Sequence, residues 1–105
     1  MSSDFTHVLD IAQEVVPPET GILSRTLFQD DRLKAVAFGF AAGEELSEHT
    51  AAKPAILLFL AGQADVGLGA ETCSAQPGTW IHLQPNVKHS IKAKSATVML
   101  LMLLK

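Results

Sequence analysis

The chain has 105 residues, of which 48% are apolar and 18% charged, with a net charge of −3 and a pI near 5.7. That length supports one hydrophobic core rather than two, and the apolar content excludes a disordered chain. The acidic balance offers no basic footprint, so nucleic acid is not an expected partner.

Residues 1–20 read as an N-terminal extension and residues 21–105 as a single barrel domain. The opening MSSDFTHVLDIAQEVV lacks the basic start and apolar stretch of a secretory signal. The single cysteine, Cys73, cannot close an intramolecular disulfide. Both features lead us to expect a reducing, cytoplasmic location. In VVPPETG (15–21) the two prolines break any helix begun at Asp10. His7, in this unpatterned stretch, reads as a surface residue.

From Gly21 the pattern is one of short apolar runs between turn residues. ILSRTLF (22–28) precedes the polar turn QDDR, and LKAVAFGFAA (33–42) stops at Gly43. PAILLFLAGQADVGL (54–68) contains Gly62, which marks a bend or bulge. GAETCSAQPG (69–78) reads as a hairpin region with Cys73 as a small packed residue, since no basic neighbour would activate its thiol. TWIHL (79–83), HSIKA (89–93) and TVMLLMLL (97–104) complete the series. Strand-length runs at intervals of about 8–12 residues predict an all-β sandwich or barrel. The last run is far short of the ~20 residues of a membrane helix, so no membrane partner is expected. Its continuous apolarity implies cover on both faces, by a second sheet or by a partner subunit.

The histidines are the strongest potential ligands, and two lie in glycine-framed blocks. Gly43, His49 and Gly62 frame the first block, and Gly78 and His89 the second, with residues 63–77 between. These blocks resemble the two motifs of the cupin family, G-x5-H-x-H-x3-E-x6-G and G-x5-P-x-G-x2-H-x3-N. The resemblance implies a cupin-like double-stranded β-helix, a jelly-roll barrel of two antiparallel sheets, and also a homodimer. A full cupin site holds one divalent metal through three histidines and a glutamate. Here Ala51 stands at the second-histidine position and Ala55 at the glutamate position. Gln84 replaces the motif's proline, Asn86 its glycine and Ala93 its final asparagine.

Two imidazoles alone fall short of the three protein ligands of a catalytic zinc, or the two histidines and carboxylate of a non-haem iron. His82 is the best third ligand. Trp80 and His82 share one strand face, and Ile81 and Leu83 the other. If the former pair points inward, His82 approaches His49 and His89, with Trp80 in the pocket. If it points outward, Trp80 becomes a core or interface anchor. Glu48 faces away from His49, and Glu44 and Glu45 read as solvated charges at the Gly43 turn. Lys53 shares strand parity with His49, Ala51 and Ala55, so it is either a pocket cation or a loop lysine before Pro54.

Three functions are therefore expected in turn. One is small-molecule binding with a divalent metal (Zn, Fe, Mn or Ni) held by His49, His89 and His82, acting on a carbonyl or carboxylate as a Lewis acid. The alternative is a metal-free binding or regulatory module whose pocket is enlarged and dried by Ala51 and Ala55. A structural or interaction protein is the third. The sequence does not decide whether the chain is an enzyme.

Overall fold

The structure, a computed structural model, describes residues 4–105. Asp10 caps a single helical turn, α1 (Ile11–Glu14), by accepting a hydrogen bond from the Ala12 amide at 3.1 Å. The prolines that follow end it. Strands then run in order: β1 (Ile22–Gln29), β2 (Leu33–Phe40), β3 (Glu45–His49), β4 (Ala55–Ala61), β5 (Ala64–Leu68), β6 (Glu71–Ala75), β7 (Trp80–Leu83), β8 (His89–Ala93) and β9 (Thr97–Leu104). β3 and β6 are the strands the apolar pattern does not announce. Both lie at a sheet edge with mostly exposed side chains, so no apolar alternation marks them.

All pairings are antiparallel. One sheet has the order β1-β2-β9-β4-β7, the other β3-β8-β5-β6. This is the two-sheet jelly roll that the sequence leads one to expect. The inner faces meet through Phe40, Leu57, Phe59, Val66, Ile91 and Met99, all essentially buried. Burying such side chains supplies the main driving force for closing the barrel. A smaller cluster forms outside the five-stranded sheet, where Val15 packs on Ala37 and Val98. The N-terminal segment thus crosses the outer face of that sheet. Gly39 permits the crossing, because a Cβ there would run into the Val15 carbonyl. Among the described residues no helix is long and apolar enough to cross a membrane.

Turns position the mouth of the barrel. Gly43, Gly62 and Gly78 have φ of 85°, 84° and 95°, in the left-handed region where a side chain is strained. Asn86, at the remaining glycine place of the second block, has φ of 68° and is the only positive-φ residue other than glycine among those described. Asparagine is among the few residues that tolerate this conformation. Its amide donates to the Ala51 carbonyl at 2.7 Å, tying the loop of residues 84–88 to that of residues 50–54. In the β1–β2 turn, the Asp30 carboxylate accepts hydrogen bonds from the Arg32 and Leu33 amides, each at 2.8 Å.

Three outcomes follow from these turns. Gly43→Ala, which meets open space, should cost about 1 kcal/mol, whereas Gly62→Ala, which also strikes the Ala96 carbonyl, should cost about 3 kcal/mol in urea unfolding. Asn86→Gly should leave stability within about 0.5 kcal/mol, and Asn86→Ala should lower it by about 1 kcal/mol. The Arg32 and Leu33 amides hold the Asp30 pKa below its ordinary value. The associated stability is present above the ordinary carboxylate range and is lost as pH falls through the depressed value. Asp30→Asn keeps an acceptor without a titrating proton, so acid titrations of the two proteins should differ by that component.

Candidate functional site

Register places the two motif histidines side by side. His49 ends β3 and His89 begins β8, and they are direct partners in the antiparallel ladder. Directly opposed residues share a sheet face, and His89 shares its face with the buried Ile91 and Ala93. Both imidazoles therefore lie on the inner face, His89 buried at 5% exposure and His49 exposed at the rim. Their ring centroids are 4.1 Å apart, with the planes inclined by 59°.

Each ring is held by the same local device. Nδ1 of His49 lies 2.8 Å from the Ser47 carbonyl oxygen, and Nδ1 of His89 lies 2.9 Å from that of Val87. A carbonyl oxygen only accepts, so each Nδ1 carries the proton and donates. In the neutral imidazole this leaves both Nε2 atoms with free lone pairs, the state needed to bind a cation or accept a ligand proton.

The other expected site residues fall elsewhere. Ile81 and Leu83 of β7 pair with Leu57 and Ala55 and pack with the core. Trp80 and His82 consequently point outward, with ring centroids 6.4 Å apart in a stacked pair. His82 stands on the far side of the sheet from His49 and His89, and Trp80, 58% exposed, is not a pocket residue. Ala55 is a core residue, 1% exposed and paired with Leu83 and Leu103. Ala51 serves the mouth through its carbonyl, in the loop. Neither alanine opens the interior into the enlarged apolar pocket expected of it: Ala55 is packed in the core and Ala51 stands in the loop above. Lys53 is an exposed loop residue, and His7 is exposed. Cys73 is exposed rather than packed, because β6 is the sheet's edge strand. Glu44 is more than a solvated charge, since it accepts from the Gly21 amide at 3.1 Å. Ala93 exchanges backbone hydrogen bonds with the Gly43 turn, as donor to Glu44 and acceptor from Gly43.

Lys34 was not singled out by sequence reasoning. It pairs with Leu103, whose own partner across the sheet is Ala55, so all three share the inner face. The loop of residues 50–54 joins the His49 end of β3 to the Ala55 end of β4. Lys34 therefore stands, half-buried, at the histidine end of the barrel. Its signal in the sequence is parity: in LKAVAFGF it alternates with Val36, Phe38 and Phe40.

Measured against the full cupin ligand set, this chain supplies two nitrogen donors and no carboxylate. Among the described residues no group of three His, Cys, Asp or Glu side chains comes together to hold a metal ion. The pair fits a cation only where oxygens of a bound molecule or water fill the remaining positions.

No family model matches the sequence, and no curated protein matches it. Solved structures do. A conserved protein of unknown function from Streptococcus pyogenes is 31% identical with a TM-score of 0.87, over 98% of this chain and 90% of that one. A cupin superfamily protein from Desulfitobacterium hafniense is 28% identical with a TM-score of 0.87, over 93% and 90%. A cupin 2 conserved barrel domain protein from Leptotrichia buccalis is 27% identical with a TM-score of 0.84, over 90% of this chain and 46% of that one. Motif glycines in the left-handed region, paired histidines at the motif places and a shared jelly roll along nearly the whole chain all agree: the chain belongs to the cupin superfamily.

Proposed function

We propose that this cupin binds a small carboxylate-bearing molecule at the barrel mouth, with a divalent metal held by His49 and His89. The observation that carries the reading is the pair of Nδ1–carbonyl hydrogen bonds, which presents two lone pairs side by side. Imidazole nitrogens suit zinc, iron and nickel. When bound, such a cation supplies Lewis-acid polarisation of a carboxylate or carbonyl oxygen. The chain's own residues do the rest. His89 is immobilised by burial, His49 is accessible at the rim, and Lys34 offers a positive charge from the facing sheet to an anionic ligand. The Asn86–Ala51 hydrogen bond fixes the two loops that border the entrance.

The shortage of a third protein ligand favours a second reading, a metal-free module in which the same Nε2 atoms accept protons from a ligand's hydroxyl or ammonium groups. Titration of tag-free protein with Zn²⁺, with and without succinate as a model dicarboxylate, separates the two. One cation per chain should bind, more tightly with succinate present. His49→Ala and His89→Ala should each weaken it about tenfold or more, and His82→Ala should leave it unchanged. Lys34→Met should reduce only the succinate-dependent gain. Succinate binding that persists in chelator with no response to Zn²⁺ would establish the metal-free module instead.

A further inference from the structure

One row of inner-face residues crosses the four-stranded sheet at the mouth: His49, His89, Leu68 and Glu71, each the register partner of the next. Alternation along β6 agrees, because Glu71 shares its parity with Ala75, which is buried in the core. The facing sheet carries the matching row Gln29, Lys34, Leu103, Ala55 and Leu83. Residues 50–54 join His49 to Ala55 and residues 84–88 join Leu83 to His89, so both rows rim the same end of the barrel. The short links 41–44 and 76–79 set β3 on the β2 side of the barrel and β6 on the β7 side. Lys34 therefore faces the histidine end of the first row, and Glu71 closes its other end. Read across the sheet, the row is an imidazole pair, an apolar residue and a carboxylate. Among the described residues the one ion pair is Arg25–Glu14, so Glu71 has no cation of its own.

We propose, on the footing of the carboxylate-binding reading above, that the ligand of this mouth is an ω-amino carboxylate and that Glu71 receives its ammonium group. The ligand's carboxylate occupies the end of the row marked by His49, His89 and Lys34, and its methylene chain lies over the half-buried Leu68. Spacing selects this class. One strand, β5, separates His89 from Glu71, so their backbones stand about 10 Å apart at the ~4.8 Å spacing of neighbouring strands. An α-amino acid carries both charges on one carbon and cannot span the row, whereas a chain of four methylenes can. Charge selects it as well. A dicarboxylate of that length would set its second negative charge against Glu71, while succinate is too short to reach it. An ammonium group there gains an ion pair that no side chain of this protein supplies.

The experiment compares three acids of matched length, valerate, δ-aminovalerate and adipate, by calorimetric titration of the full chain, once with saturating Zn²⁺ and once in chelator. At low ionic strength δ-aminovalerate should bind about threefold more tightly than valerate, the size of an exposed ion pair, and added salt should shrink that gain. Glu71 is exposed on an edge strand, so its substitutions are compatible with folding. Glu71→Gln should abolish the gain from the amino group, and Glu71→Lys should reverse the order, so that adipate binds more tightly than δ-aminovalerate. Equal affinity of the wild type for valerate and δ-aminovalerate overturns the role of Glu71 while leaving the carboxylate reading in place. A gain that survives Glu71→Gln does the same. Failure of all three acids to bind in either condition overturns both readings together.

Discussion

The structure depends on β9, the strand that both halves of the chain share. It pairs with β2 on one side and β4 on the other, so without it the five-stranded sheet would fall into two separate pieces. Its side chains are apolar on both faces. Met99, Leu101 and Leu103 face the interior, and Val98, Leu100 and Met102 face outward. The inward set completes the core. The outward set needs its own cover, which the N-terminal segment supplies over Val98. Pairing between strands this far apart in the chain requires loop-closure entropy to be paid before the contacts it brings are gained.

From that frame, the mouth chemistry is a matter of ladder register. His49 and His89 are forty positions apart in the chain but opposite each other in β3 and β8, and the same backbone device orients each ring. Neither ring relies on a carboxylate to set its tautomer; a carbonyl two residues back does that for both. Alanine at positions 55 and 51 therefore leaves the geometry of the two histidines undisturbed. Ala55 has been absorbed into the core, and Ala51 contributes a carbonyl rather than a side chain. The result is a mouth with two adjacent imidazole nitrogens and a loop bridge beside it, with Lys34 on the inner face of the facing sheet.

The fold was largely legible. Gly43, Gly62 and Gly78 stand at turns only glycine adopts without strain, and Asn86 takes the fourth such place because asparagine tolerates it. β8 and β9 match their apolar runs end to end, since both faces or one full face are buried. β3 and β6 were not legible as strands, because edge strands with solvated side chains carry no burial pattern. Cys73 is exposed for the same reason, since it lies on the edge strand β6. The face of Lys34 is not legible in the sequence, because a charged residue at a strand end looks solvated until its partner strand fixes its side of the sheet.

His49 and His89 as a pair, the jelly-roll class and the incomplete ligand set are determined by the sequence itself, through motif spacing and glycine-dependent turns. The facing of Trp80 and His82 was decided only by the tertiary structure. A four-residue strand with apolar side chains on both parities is compatible with either orientation. What settles it is the volume inside the barrel, where Ile81 and Leu83 fill the space against Leu57 and Ala55 and turn the indole and imidazole outward.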